Sequence, residues 1–451
     1  MNKKFLIVIL FCSCFLVKNF FCVDLEEKQK VYFEGKDFSV SYGKSKCFLF
    51  CLDENEISAK LAKTIGYDLE FTDVFKVFLK KSDRVFSKEE HFRLFEKEEV
   101  DYSIYIKTLE NSKKDYCRIQ FCLKNNYSNL SEIDEVFEGP LKDLVWLGHK
   151  IASKVAEILT GRPGIFMKEL VYCKFVSAWH KVIIRSDYAG NGSHEIVSGK
   201  GINSVPCWHP LLNVLFYTKL TPSKSMLLAF DLKTSRHKIV ADFEGLNMQP
   251  SVSEDGKKVV LCLATTGNTE LFLFDKDDSF RLKKRAFKQL TRNNGNNVAP
   301  IFLSNGDVVF CSDFETSGPQ IYYLNMRTNK SKRLTKGAYC AGPSYCKCLN
   351  SIVYTKVVNG VFQLFTLKLK DIDGEVKEEQ LTFGAGDKQD PYWAENGDYI
   401  YYSYRCPDSK REKRTMQIAV LNIASKNTHL LTSGEQPKSF PRLSFVDKKW
   451  D

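Results

Sequence analysis

The chain has 451 residues, 43% of them hydrophobic and 13% aromatic, with a formal net charge of +11. That length allows two to three domains, and the apolar content is enough for packed cores, which excludes a disordered or low-complexity chain. The charge is mild for the size and falls to +8 without the three lysines of the first 23 residues, so it carries no nucleic-acid signature.

Residues 1–23 read as a signal peptide. Lys3 and Lys4 precede an apolar run at residues 5–17, too short for a bilayer core of about 30 Å but the right size for a signal core. Cleavage is expected near Cys22. No later stretch is long and apolar enough to span a membrane, so the mature protein is expected to be exported and soluble. A polar arm at residues 23–36 follows, and residues 24–163 read as a small α/β domain. A strand is predicted at 47–52 and a helix at 57–69, where Ile57, Leu61, Ile65 and Leu69 recur at helical spacing. Strands are predicted at 101–107 and 116–123. A longer helix at 141–159 carries Leu144, Leu147, Ile151, Val155 and Ile158 on one stripe. Gly161-Arg162-Pro163-Gly164 stops it, because glycine suits a C-cap and proline cannot continue a helix.

The rest of the chain repeats. Pro206, Pro250, Pro300, Pro343, Pro391 and Pro441 are separated by 44, 50, 43, 48 and 50 residues. A period of about 40–50 residues built from short strands marks a β-propeller with one four-stranded blade per repeat. Leu-Thr pairs precede four of the prolines, at Leu290-Thr291, Leu334-Thr335, Leu381-Thr382 and Leu431-Thr432, with Ile196-Val197 and Ile239-Val240 as weaker copies. Asp255-Gly256, Asn305-Gly306 and Asn396-Gly397 follow as hairpin signals, since these pairs readily take positive φ. Short β-branched and aromatic runs supply the second and third strands. Only 11 residues run from Pro441 to the end, enough for one strand. That strand is expected to join the strands before Pro206 in a composite sixth blade. The predicted fold is an α/β N-terminal domain plus an all-β six-bladed propeller over 164–451.

Fifteen cysteines raise the question of a disulfide scaffold, and three lie in the leader. Local pairs are expected not to bridge. Cys47 and Cys51 are about 13 Å apart at strand rise, Cys346 and Cys348 flank one residue, and Cys117 and Cys122 point to opposite faces of a strand. Most read as small buried hydrophobes. No Cys-x2-Cys or close histidine pair offers a zinc set. The basic runs at 281–288 and 410–414 read as solvated loops without the interleaved aromatics of a single-strand binder.

Catalysis finds little support. There is no Gly-x-Ser-x-Gly elbow, and Gly190-Asn191-Gly192-Ser193-His194 reads as a turn. Gly384-Ala385-Gly386 opens no helix. Asp387 and Asp390 are too irregularly spaced for a calcium loop, and His149 reads as a packing residue near the domain junction. No catalytic residue, metal or cofactor is assigned.

Gly148-His149-Lys150-Ile151-Ala152, the stretch from Ile158-Leu159-Thr160-Gly161 through Gly164-Ile165-Phe166, and Asp68-Leu69 followed by Val74-Phe75 together resemble the TolB family of the Tol-Pal system over nearly the whole mature chain. Ser153 and Glu169 depart from the family's usual Asp and Arg. The resemblance implies a non-enzymatic periplasmic scaffold. It would bind the peptidoglycan-associated lipoprotein Pal through propeller loops and TolA through its mature N-terminus, and so reach the outer membrane through Pal while itself soluble. The implied role is outer-membrane integrity and invagination during cell division. Carried over by position, the Pal contacts are Leu246, Gln249 and Val298. Leu246 stands for a family histidine, which implies an apolar contact there. The alternatives are a propeller enzyme or a lectin-like binder acting on envelope glycans.

Overall fold

Strand β1 (Ser45–Cys51) lies second in a five-stranded sheet of order β2-β1-β3-β4-β5. Its neighbours are β2 (Phe75–Lys81) and β3 (Tyr102–Leu109), both parallel to it. β4 (Tyr116–Asn125) and β5 (Ser131–Pro140) extend the sheet antiparallel. Helices α1 (Glu56–Phe71) and α3 (Leu144–Thr160) share a core with one face of this sheet, while α2 (Lys88–Glu98) bears Leu94, which packs with Phe48, Phe50 and Tyr105 on the other. The Asn55 side chain caps α1 by accepting the Ile57 N–H at 2.9 Å. Gly161 ends α3 in the left-handed region at φ 72°, its N–H donating to the Glu157 carbonyl at 2.8 Å. The computed structural model describes residues 44–447 except 54, 83, 111–112, 129, 265–266, 276–279, 283–286, 370–375, 408–414 and 446. The leader with its cleavage point, the 23–36 arm, the 410–414 run and the middle of the 281–288 run lie outside the described residues.

Two details differ from the sequence reading of this domain. Three elements were not predicted: β2, α2 and β5. Ile158 is exposed rather than part of the buried stripe, because the core face of the helix runs through Leu144, Leu147, Ile151, Ala152, Val155 and Ala156.

Beyond α3 the described elements are all strands. Four separate antiparallel sheets of four strands each begin with the strands Asn247–Val252, Asn297–Phe302, Cys340–Cys346 and Asp387–Trp393. The remaining eight strands form one sheet. Within it, Gly201–Trp208 leads one antiparallel set of four. The C-terminal strand Lys438–Leu443 leads the other by pairing with Glu169–Ser177. Strand to strand, the two sets meet through the short parallel pairing His180↔Gly201 and Lys181↔Ile202. The expectation of separate blades is therefore met for four sheets, and the expected pairing of the C-terminal strand is present.

Each of the six prolines sits in such a leading strand, directly after a residue in the left-handed region. Val205, Gln249, Ala299, Gly342, Asp390 and Phe440 have φ of 50, 51, 51, 62, 51 and 55°. At each one the register slips, so that Gln249 and Pro250, for example, lie between the pairs Met248↔Cys262 and Ser251↔Val260. These are β-bulges of the type that normally places glycine in the left-handed position. Only Gly342 uses glycine. The other five residues carry a Cβ in a conformation that costs about 1–2 kcal/mol.

The Leu-Thr repeat has an equally local cause. The hydroxyls of Thr291, Thr335, Thr382 and Thr432 each accept an N–H of the neighbouring third strand at 2.9 Å, from Leu271, Ile321, Leu364 and Ile418. Each also donates to a side chain near the start of that strand: Glu270, Gln320, Gln363 or Gln417. Gly256, Gly306 and Gly397 take positive φ as predicted. The turns are longer than the two-residue hairpin the sequence implied, because Ser253 pairs with Lys258 across four intervening residues.

Two outcomes follow from this architecture. A chain ending at Gln436 loses the strand that buries Phe440 and Leu443 and leaves the edge of Glu169–Ser177 unpaired. Its thermal melt, followed by circular dichroism, should shift down by more than about 10 °C, and an unchanged melt would show that this pairing contributes nothing. Ala299→Gly should stabilise the chain by about 0.5–1 kcal/mol in a denaturant titration, since it relieves a left-handed Cβ at little loss of packing. A loss of 0.5–1 kcal/mol, normal for glycine in a strand, would show that the bulge carries no strain.

Candidate functional site

The two ends of the propeller are built differently. In an antiparallel meander, the turns between first and second strands and those between third and fourth emerge at one end. The connections into each first strand emerge at the other, together with the turns between second and third strands.

The α/β domain meets the first of these ends. Asn422 Nδ2 donates to the Thr72 carbonyl at 2.9 Å, Ser425 Oγ to Asp73 at 2.7 Å, and Arg162 pairs with Asp398. At the centre of the junction lies a buried polar cluster. His149 Nδ1, on α3, is 2.7 Å from Asp68 Oδ2 on α1, and its Nε2 is 3.7 Å from Asp187 Oδ2 of the propeller. Tyr188 donates its hydroxyl to Asp68 at 2.7 Å, and Tyr401 donates to the Tyr188 carbonyl at 2.9 Å. The two helices approach closely at Gly148, where a Cβ would come within 2.8 Å of the Thr64 side chain. Burial opposes charge on His149, but the hydrogen bonds and negative charge of Asp187 and Asp68 prevail and push it up to about 9. Burial pushes the Asp68 carboxyl up as well. His149 therefore acts as a charged tie between the helices and the ring, consistent with its reading as a junction residue.

At the opposite end, four of the six connections into the first strands are held from below by the residue three places before the proline. Asn247 Nδ2 donates to the carbonyls of Phe243 and Gly245 at 2.7 and 3.3 Å. Asn297 Nδ2 reaches Asn293 Oδ1 at 3.0 Å and the Gly295 carbonyl at 3.4 Å. Lys388 Nζ donates to the carbonyls of Phe383, Gly384 and Ala385 at 3.1, 3.2 and 3.0 Å. Lys438 Nζ donates to those of Ser433 and Gln436 at 2.8 and 3.1 Å. Burial lowers the pKa of both lysines. This repeated device, missed by the sequence reading, stiffens the loops. Its signal was present in the recurrence of Asn or Lys at one offset from proline.

The three predicted contact residues lie at this end, beneath its surface. Leu246, Gln249 and Val298 are 3%, 8% and 8% exposed. Val298 is not on an exposed loop as expected. It is the second residue of a strand and pairs with Cys311, because the strand starts before the bulge and not at the proline. Gln249 spends its side-chain oxygen on the next sheet, accepting the Ala299 N–H at 2.8 Å. The apolar side chains that stand out most at this end include Phe383, 71% exposed in the 383–386 loop, and Trp179, 65% exposed in the turn before His180–Asp187.

The acids weighed for calcium are engaged by protein. Asp390 accepts from Ser403 Oγ at 2.9 Å, and Asp387 lies 3.8 Å from Arg405 Nε. Among the described residues no three His, Cys, Asp or Glu side chains are grouped to hold a metal ion. Gly384-Ala385-Gly386 is one of the lysine-held loops and leads into a strand, not a helix.

Repeated four-stranded sheets, proline bulges and an α/β domain seated on one end define a β-propeller protein with an N-terminal α/β domain. A family profile described as the TolB beta propeller domain matches residues 156–433. The chain belongs to the TolB family. It is 34% identical over 167 residues to the Tol-Pal system protein TolB of Rickettsia prowazekii (strain Madrid E), and 31% identical over 169 residues to that of Rickettsia canadensis (strain McKiel). Each match covers 36% of this chain and 37% of the relative, so the aligned segment spans well under half the length of these relatives. The crystal structure of TolB from Acinetobacter baumannii has the same fold, with a TM-score of 0.76 at 19% identity over 89% of this chain and 97% of that one.

The junction cluster makes stability pH-dependent. A histidine held at about 9 in the folded chain, against about 6.5 unfolded, contributes stability that is complete below pH 6.5 and lost as pH rises through 9. Between pH 6.5 and 9.5 the unfolding free energy should fall by an amount on the order of 3 kcal/mol, and His149→Gln should flatten that slope. Equal slopes for the two proteins in denaturant titrations would remove His149 as the source.

Proposed function

We propose that this protein is the non-enzymatic TolB scaffold of a Tol-Pal system. In this reading it works in the periplasm, binds Pal through the propeller end remote from the α/β domain, and binds TolA through its mature N-terminal segment. Its role is to maintain outer-membrane integrity and invagination during cell division. The observation that carries this reading is the match of the TolB propeller profile across residues 156–433. Two features of the chain support it. One end of the ring bears the α/β domain, and the other presents loops stiffened by Asn247, Asn297, Lys388 and Lys438. Stiff loops on a rigid scaffold lose little entropy on docking, which favours protein recognition.

The organisation we propose is a leader at 1–23, an α/β domain at 24–163 and a six-bladed ring at 164–451, with the eight-stranded sheet counted as two blades. Leu246, Gln249 and Val298 form the floor of the Pal surface, and their low exposure favours a supporting role. Exposed side chains such as Phe383 make the outer contact.

Calorimetric titration against purified Pal tests this. The wild-type chain should bind. Phe383→Asp should weaken binding at least tenfold, about 1.4 kcal/mol, with an unchanged melting curve. Val298→Asp should instead destabilise the fold by about 2–4 kcal/mol, because it buries a carboxylate in a strand. Absence of any Pal binding by the folded wild-type chain would overturn the function. Full affinity of Phe383→Asp would move the contact off that loop.

A further inference from the structure

One turn of the ring departs from the Asx-Gly form of three others. Where other first strands run into Asp255-Gly256, Asn305-Gly306 or Asn396-Gly397, the strand Cys340–Cys346 runs into Lys347-Cys348-Leu349-Asn350, and Asn350 takes φ 43°. On a continuing strand, side chains two apart stand side by side and stay well separated. Here the chain curls at the strand end and brings Cys348 Sγ to 3.2 Å from Cys346 Sγ. That is only about 1.2 Å beyond the ~2.04 Å of a sulfur–sulfur bond. The two thiols are otherwise unlike. Cys346 is buried at the end of its strand, and Cys348 is exposed.

The next sheet makes room for this arrangement. A Cβ on Gly397 would meet Cys348 Sγ at 2.9 Å and the Leu349 side chain at 3.1 Å. The glycine that its own turn needs for positive φ therefore also leaves the space the Cys348 sulfur occupies. The turn is anchored around the pair by Tyr345, which donates its hydroxyl to Asn350 Oδ1 at 3.1 Å, and by an ion pair between Lys347 and Glu254.

We propose that Cys346 and Cys348 form a redox-active dithiol site whose substrate class is a disulfide-bonded oxidant, small-molecule or protein. The exposed Cys348 thiolate attacks one sulfur of the oxidant, forming a mixed disulfide and releasing one thiolate, which takes up a proton. Cys346 then loses its proton and attacks Cys348 Sγ, closing the Cys346–Cys348 bond and expelling the second thiolate, which is also protonated. Two electrons and two protons pass from the pair to the oxidant, whose disulfide becomes two thiols. Burial, with the adjacent Cys348 sulfur adding to it, pushes the Cys346 thiol up to about 12. This favours Cys348 as the first nucleophile and Cys346 as the resolving one. The site is independent of the partner reading above.

The experiment exposes the fully reduced, folded chain to oxidised glutathione. It is then quenched in acid and denatured, and its remaining thiols are alkylated before peptide masses are mapped. The Cys346–Cys348 peptide should lose two hydrogens and take no alkylating reagent, at least about tenfold faster than Cys262 or Cys311 react on their buried strands. Exposed Cys406 should instead retain a glutathione adduct. In Cys346→Ser, Cys348 should also keep glutathione, because nothing resolves it. In Cys348→Ser, Cys346 should stay a thiol. If either variant fails to fold, the wild-type map decides alone. Alkylation of both cysteines in the oxidised wild-type chain, or a glutathione adduct persisting on its Cys348, would overturn the proposal.

Discussion

The ring depends on a backbone conformation that most side chains avoid. A residue in the left-handed region directly before a proline inserts one extra position into each leading strand, and it does so at Val205, Gln249, Ala299, Gly342, Asp390 and Phe440. A bulge bends a strand and sharpens its twist. The proline supplies a fixed φ and has no N–H to leave unpaired. The strained residue does have one, and the neighbouring sheet satisfies it in at least two cases. Gln249 accepts from Ala299 N–H, and Ser403 accepts from Phe440 N–H at 3.3 Å. Ser251 and Ser344 make the same kind of bond to Phe302 and Trp393, at 3.0 and 2.9 Å. Local strain in one sheet is thus compensated by a polar contact from the next, which ties adjacent sheets together where apolar packing alone would let them slide.

This economy explains why residues near the prolines are hard to assign from sequence. Family position places Gln249 and Val298 at a partner surface, yet in the fold Gln249 is a fastener between sheets and Val298 a ladder residue. In the proposed reading both demands converge on the same few positions, because the loops that would face Pal lead into the bulge. A residue there shapes the surface even when it touches nothing outside the chain.

Much of the architecture was legible because it rests on short-range rules repeated many times. Proline spacing exposed the period, and the Leu-Thr pairs marked a hydroxyl clasp that needs no distant partner. Gly161 announced the end of α3 through the left-handed cap it adopts. Elements without such punctuation escaped. β2 is an edge strand with lysines at Lys76, Lys80 and Lys81, and α2 is mostly charged, so neither shows a clean apolar period. The Cys346–Cys348 approach was invisible for a different reason. Strand geometry separates residues two apart, and only the local turn, which depends on Asn350 and on the emptiness beside Gly397, reverses that rule.

The junction and the loop end obey opposite electrostatic logic, and the difference bears on how the molecule holds together. At the junction, a buried imidazolium lies between Asp68 and Asp187, carboxylates from α1 and the propeller. Removing His149 would leave two carboxylates without their counter-charge, which is costly. That arrangement joins the α/β domain to the ring as one cooperative body. At the loop end, Lys388 and Lys438 carry their charge into a ring of neutral carbonyls. Neither ammonium depends on a carboxylate from another domain. These loops, and those held by Asn247 and Asn297, are each fixed by a side chain of the strand they lead into. A propeller built this way anchors its domain contact through one shared charged cluster, while the loops at its other end are held one at a time.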